Sequence, residues 1–177
     1  MPAAAQARVR TRFLLERGRV RNSSGNPAAA VPLFKEALVV ARDDTLPDAD
    51  YYRVDALHML GIAAPKDTQL AWNLKAATTA QASADPRARG WAASLENNLG
   101  WTLFEAGDAN EALAHWQRAL TLREAAGKPE AIRIARWTVA RGYRAVGRLD
   151  DAQRLHLALV AETEQAKEPD GYVYEEL

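Results

Sequence analysis

Apolar and small residues recur along this chain at the spacing of an α-helix. Two stripes of such residues follow one another in and around the stretch LGWTLFEAGDANEALAHWQRAL, residues 99–120. The first stripe contains Leu95, Leu99 and Leu103, and the second contains Ala112, Trp116, Ala119 and Leu120. Both stripes keep the three- and four-residue steps of one helical face, so each predicts an amphipathic helix.

A short turn with a glycine separates the two stripes. Gly107 is suited to end the first helix, and Asp108 can cap the second. The same turn recurs at Gly25, with Asn26 and Pro27 after it, and at Gly147. An alanine follows each glycine five residues later, at Ala30, Ala112 and Ala152. The chain is therefore predicted to be an internal repeat of helix pairs.

The distances between these glycines predict four units. Gly25 and Gly107 lie 82 residues apart, and Gly147 follows 40 residues later. One further unit is expected between the first two glycines, where LGIAAPKDTQLAWNLKAA (60–77) has a shortened turn with Pro65 and no glycine. The predicted units are 4–42, 48–82, 86–126 and 129–166, within a single repeat domain over 1–177. The predicted helices are 4–22, 27–42, 48–63, 67–82, 86–106, 109–126, 129–146 and 149–166.

Small residues are expected where the two helices of a unit approach closely. Gly100 has this role in the third unit, with Trp116 and Leu103 filling the adjoining space, and Gly18, Gly61 and Ala140 take its place elsewhere. His156 lies where the repeat expects a buried aromatic ring, so it is predicted to pack in the core. A last short helix is predicted over 170–177; it is either a polar cap, the beginning of another repeat, or a surface that a second subunit covers.

The pattern resembles the tetratricopeptide repeat, in the longer form of about forty residues that kinesin light chains and related bacterial proteins carry. The third unit matches best, through Leu99-Gly100, Gly107, Ala112, Trp116 and Ala119. The first unit matches through Gly18, Gly25, Ala30, Phe34 and Ala37, and the fourth through Tyr143, Gly147 and Ala152. Leu103, Ala140, His156 and Leu159 depart from the family pattern. The resemblance predicts an all-α chain, a right-handed superhelix of antiparallel helix pairs.

The same resemblance implies a binding face. In this family the first helix of each unit lines the concave side, where protein or peptide partners bind. The residues expected there are Arg12, Arg19, Asp55, His58, Asn97, Trp101, Trp137, Arg141 and Arg144. Asparagine can pair with a peptide backbone and arginine can hold a carboxylate through two hydrogen bonds, although the same residues also suit ordinary solvated helix positions.

Composition and charge narrow the class of partner. The 177 residues include 23 Lys and Arg against 23 Asp and Glu, so no bulk charge favours nucleic acid or an anionic membrane. The chain has no cysteine, which excludes a disulfide framework and a thiolate nucleophile. We find no visible signal peptide and no apolar run as long as a membrane span, which is consistent with a cytoplasmic protein.

The sequence contains no recognisable catalytic or cofactor-binding motif. The sequence has no phosphate-binding loop, dinucleotide fingerprint or nucleophile elbow, so neither an enzyme nor a cofactor is expected. Asp43, Asp44, Asp48 and Asp50 cluster in DDTLPDAD, but the spacing lacks the glycine and glutamate of a calcium loop, and no metal site is predicted. We expect a non-catalytic scaffold that binds a protein or peptide. The alternatives are self-assembly of homo-oligomers through the terminal repeats and a ligand-sensing regulatory domain.

Overall fold

The computed structural model of the protein describes residues 3–42, 46 and 48–166. The helices are α1 (Ala3–Ser23), α2 (Pro27–Val40), α3 (Ala49–Ala63), α4 (Lys66–Ala82), α5 (Pro86–Arg89), α6 (Ala92–Glu105), α7 (Ala109–Ala126), α8 (Pro129–Ala145) and α9 (Leu149–Ala166). Between these helices the described residues form only turns and short connections, with no strand. The prediction of an all-α chain of helix pairs is confirmed.

The predicted glycine turns are present in three of the helix pairs. Gly25, Gly107 and Gly147 have φ angles of 77°, 89° and 78°, a left-handed conformation that glycine adopts without steric cost. After two of these turns, the side chains of Asn26 and Asp108 accept hydrogen bonds from backbone N–H groups in the first turn of the next helix. The local sequence therefore fixes where these helices end and begin.

The turn of the second pair uses a side chain where the others use glycine. Helix α3 ends at Ala63 and α4 begins at Lys66, so little chain is left between them. The amide nitrogen of Gln69 donates to the carbonyl oxygens of Ile62 and Ala64, at 3.1 and 3.0 Å. These bonds satisfy carbonyl groups that the end of α3 leaves without a helical partner.

One predicted helix, 86–106, is wrong. The structure divides it into α5, a turn at Gly90 and Trp91, and α6. Glycine is a weak helix former, and the Asp85 side chain caps a separate helical turn by accepting from the N–H of Arg87 at 2.9 Å. The interruption frees the Trp91 ring to pack against side chains of α3.

The chain divides into two compact units, Met1–Asn98 and Leu99–Leu177, with the boundary inside α6. In the first unit α1 packs on α2, α3 packs on α4, and α2 packs on α3. In the second, α8 packs against both α7 and α9. The predicted helix over 170–177 and the aspartates Asp43 and Asp44 lie outside the described residues. No helix in the described ranges is long and apolar enough to cross a membrane.

Close approach at small residues is confirmed in three helix pairs. A Cβ atom added to Gly18 would overlap the ring of Phe34, and one added to Gly100 would overlap the ring of Trp116. In the second pair, the side chain of Asn73 lies against Gly61 in the same way. The fourth pair has the buried residues Ala140 and His156 at the corresponding positions, so the prediction that His156 packs in the core is confirmed.

Candidate functional site

The residues predicted to line the binding face fall into both units. Arg12, Arg19, Asp55, His58 and Asn97 belong to the first unit, and Trp101, Trp137, Arg141 and Arg144 belong to the second. Each set has its own arrangement, and three residues of the first, Arg12, Arg19 and Asp55, line a cavity.

The cavity of the first unit has a volume of about 560 Å³. It lies between the face of α1 that carries Arg12 and Arg19 and the face of α3 that carries Asp55. Its lining residues are Arg8, Arg12, Leu15, Glu16, Arg19, Asp48, Tyr51, Tyr52, Asp55, Arg87 and Trp91. The sequence pattern anticipated three of them. Arg8 and Tyr51 each lie one helical turn before a predicted residue, which is a signal that could have identified them.

An ion pair crosses this cavity from α1 to α3. The guanidinium of Arg19 donates to the carboxylate of Asp55 at 2.5 Å and to that of Glu16 at 2.8 Å. The Asp55 side chain is only 5% exposed. Burial raises the pKa of Asp55 above its ordinary value, and the hydrogen bond and charge of Arg19 offset only part of that rise. The pair therefore holds a carboxylate that depends on its arginine to stay charged.

Two other arginines of the cavity, Arg8 and Arg87, form ion pairs with aspartates. Arg87 contacts the carboxylate of Asp48 and pairs with Asp85 at 2.9 Å, while Arg8 reaches Asp48 at 3.4 Å. The hydrogen bond from Arg87 lowers the pKa of both aspartates. Asp48 has a left-handed φ of 71°, a conformation that aspartate adopts more readily than most residues.

Arg12 differs from the other arginines of the cavity. It is exposed, and no hydrogen bond or ion pair joins its guanidinium to any residue in the described ranges. The other three arginines each pair with at least one carboxylate. Arg12 is therefore the cation that the cavity leaves available to a bound group.

His58 and Trp91 pack together next to this ion pair. Their ring centroids are 4.8 Å apart, and the His58 Nδ1 atom lies 3.2 Å from the amide nitrogen of Asn98. Burial, with a smaller contribution from the charge of Arg19, lowers the pKa of His58 to about 4. The imidazole is thus neutral at physiological pH, and its Nδ1 atom accepts the hydrogen bond of Asn98.

This pKa makes the stability of the first unit depend on pH. Between pH 6.5 and pH 4 the unfolded chain protonates His58 while the folded chain does not, so stability falls as the pH is lowered through that range. We expect urea denaturation to show a loss of about 2 kcal/mol between pH 7 and pH 5 that His58→Gln removes. A histidine NMR titration should place the midpoint of His58 near pH 4. A midpoint above pH 6 would contradict the expectation.

The predicted residues of the second unit form an aromatic cluster around one arginine. The guanidinium carbon of Arg141 lies 5.5 Å from the ring centroids of Trp101 and Phe104 and 5.8 Å from that of Trp137. Trp101 also meets Trp116 edge-on, with 5.1 Å between centroids. Three rings therefore hold the cation in place. Arg144 is exposed one turn along α8, and Asn97 is half-buried at the end of the first unit.

Comparison with known protein families supports this arrangement of helix pairs. Residues 91–161 match the family model of the tetratricopeptide repeat. The matched segment begins at Trp91 and covers most of the third and fourth predicted units. None of the curated proteins matches the chain.

Several solved structures share the fold at low sequence identity. Aspartyl phosphate phosphatase F from Bacillus subtilis superposes over 95% of this chain with a TM-score of 0.77 and 12% identity. BtubC (BKLC) from P. vanneervenii superposes over 90% with a TM-score of 0.74 and 17% identity. The nearly identical TPR-like repeats assigned to a kinesin light chain of Podosopora anserina superpose over 97% with a TM-score of 0.71 and 18% identity, covering 80% of that chain. This chain spans 43% and 65% of the length of the first two structures.

Proposed function

Because residues 91–161 match the tetratricopeptide repeat, we propose that this chain is a non-catalytic module that binds a segment of a partner protein. In the first unit the segment contacts the predicted residues Arg12, Arg19, Asp55, His58 and Asn97. The predicted residues of the second unit, taken by itself, are Trp101, Trp137, Arg141 and Arg144. The cavity between α1 and α3 is the observation that carries this proposal.

The size and lining of the cavity suit a side chain or short peptide segment. Its volume of about 560 Å³ falls within the range of pockets that enclose small ligands. The rings of Tyr51 and Trp91 offer flat apolar surface, and Arg12 offers an unpaired guanidinium. A carboxylate beside an apolar side chain would meet both features, since arginine binds carboxylates through two parallel hydrogen bonds.

The charges of the cavity favour binding over catalysis. Asp55 is paired with Arg19, and Asp48 is held by Arg8 and Arg87. His58 is neutral and packed against Trp91. General acid–base catalysis needs a group that is free to exchange a proton with the substrate. The described lining residues present no nucleophile next to a free base, and the activity in the printed name of the Bacillus subtilis phosphatase stays with that protein.

Replacing Arg12 tests the proposal directly. We expect Arg12→Ala to weaken the binding of a peptide selected from a random displayed library by about tenfold, because a lost charge-assisted hydrogen bond costs about 1.5–3 kcal/mol. Binding is measured by fluorescence anisotropy with the labelled peptide. Thermal unfolding should stay unchanged, since the guanidinium pairs with no described residue.

The matched control is Arg21→Ala. It removes the same charge from the same helix, but Arg21 does not line the cavity. We expect its affinity to stay within about twofold of the wild type at physiological salt. Equal losses in both variants would show a nonspecific charge effect and would contradict a dedicated site at Arg12.

A further inference from the structure

Helix α1 carries an apolar stripe on the side opposite to its core. Val9, Phe13 and Val20 are 57%, 59% and 64% exposed, and their spacing places them on one helical face. The opposite face, with Leu14, Leu15 and Gly18, is buried in the first unit. Three large apolar side chains on one exposed face indicate an interaction surface.

The repeat itself shows what packs on this face elsewhere. Counted from the paired positions Gly18 and Ala140, the three exposed residues of α1 correspond to Ala131, Ala135 and Gly142 of α8. That face of α8 is covered by the preceding helix α7. A Cβ atom on Gly142 would lie 2.9 Å from the Cδ1 atom of Leu113, and Gln117 donates to the hydroxyl of Tyr143 at 3.2 Å. The stripe on α1 thus corresponds to the face of α8 on which α7, the second helix of the preceding pair, packs.

Helix α9 presents the complementary face. Counted from the turn glycines Gly107 and Gly147, the α7 residues Leu113, Gln117 and Leu120 correspond to Gln153, Leu157 and Val160. Leu157 is 53% exposed, and Gln153 is exposed beside it. The main packing of α9 in the described ranges is on α8. This face of α9 therefore corresponds to the face of α7 that packs on α8, the first helix of the next pair.

The two helices carry opposite charge. Helix α1 contains six arginines and one glutamate, whereas α9 contains two aspartates and two glutamates against one arginine. Within the described residues, Arg21 on α1 and Asp150 and Glu164 on α9 make no ion pair. Three of the six arginines of α1 already pair with carboxylates of this chain, at Asp48, Glu36 and Asp55. Arg17 lies over the ring of Phe13 in the stripe, with 6.0 Å from its guanidinium carbon to the ring centroid. Attraction between the remaining cations of α1 and the acidic side chains of α9 favours pairing of the two helices and disfavours α1–α1 and α9–α9 pairing.

We propose that α9 of one copy of this chain docks on α1 of a second copy and repeats the packing of α7 on α8. The contact is head-to-tail: each copy offers one α1 face and one α9 face, so each has a further face open after the first contact. The contact area is that of one helix pair, so the association is concentration-dependent and weakens with salt. This inference is independent of the proposed peptide site.

Complementary single variants test the head-to-tail contact. Phe13→Glu damages only the α1 face, and Leu157→Glu damages only the α9 face. We expect sedimentation velocity to show concentration-dependent oligomers for the wild-type chain of residues 1–177 in low salt and monomers for each variant alone. An equimolar mixture of the two variants should form dimers and no larger species, because one intact α9 face then meets one intact α1 face.

Val39→Glu is the control, since Val39 is 62% exposed on α2 outside both stripes. It should associate like the wild type, and circular dichroism should show unchanged helicity for all three variants. A wild type that stays monomeric up to millimolar concentration would overturn the proposal. Self-association of the Leu157→Glu protein alone, or a mixture that stays monomeric, would also overturn it.

Discussion

Replacing Gly100 by leucine is expected to destabilise the second unit by about 3 kcal/mol, because a large side chain cannot fit between α6 and α7 without moving one of them. Even a Cβ atom at this position would overlap the indole of Trp116, and that ring is fully buried. The indole cannot turn away, since it also packs against Trp101 and Phe104. Thermal and urea unfolding of the variant measure the loss.

A leucine at an exposed helical position is the control, because it introduces the same side chain without the overlap expected at Gly100. Ala125→Leu places the same side chain on α7 where the residue is exposed. We expect its stability to stay within about 0.5 kcal/mol of the wild type. If Gly100→Leu also stayed within that range, the close approach of α6 and α7 would not be required for stability.

Removing Arg19 should have an effect of similar size on the first unit. Arg19→Ala leaves the buried carboxylate of Asp55 without its cation, and the loss of one partner of a buried pair costs about 3 kcal/mol. Asp55→Asn should cost less, because Arg19 is partly exposed and keeps its contact with Glu16 at 2.8 Å. Urea denaturation at pH 7 compares the two variants.

The Arg19→Ala loss should shrink as the pH is lowered. Burial already raises the pKa of Asp55, and removing Arg19 raises it further. The folded variant therefore takes up a proton at a higher pH than the unfolded chain, and protonation relieves the buried charge. We expect the difference from the wild type to be smaller at pH 5 than at pH 7, and Arg19→Ala with Asp55→Asn to recover much of the loss. A difference that does not change with pH would locate the damage in packing.

The helix pairs could be predicted because local residues determine them. Gly25, Gly107 and Gly147 end helices through their own backbone conformation, and Asn26 and Asp108 cap the helices that follow. These signals act over a few residues and do not depend on distant packing. The close contact at Gly100 could also be anticipated, since the repeat shows the same small residue at Gly18 and Gly61.

The cavity could be predicted only in part. Arg12, Arg19 and Asp55 were predicted from the repeat, but Arg87 reaches the cavity from the short helix α5, and Asp48 and Trp91 reach it from turns. Trp91 was missed because the prediction placed it inside a helix over 86–106, whereas it lies in the turn between α5 and α6. The Arg87–Asp48 ion pair joins residues 39 positions apart, and periodicity carries no information about such pairs.

The pairing of Arg141 with Trp101 and Trp137 also follows from tertiary structure. All three were predicted as separate contact residues for a partner, whereas the structure places them in one cluster with Phe104. Rings of α6 and α8 meet there although their residues are far apart in sequence. Whether a partner contacts this cluster stays a prediction.

The close contact at Gly100 limits which side chains can face each other on the two helices of a pair. Gly18 faces Phe34 and Gly100 faces Trp116, whereas the fourth pair has Ala140 with the smaller ring of His156. In these three pairs a small residue on one helix accompanies a ring on the other, and the methyl gained at Ala140 accompanies a smaller ring, whereas the second pair has Asn73 against Gly61. A substitution at either position should therefore be tolerated when its partner changes in the opposite sense, and such positions should vary together in related chains.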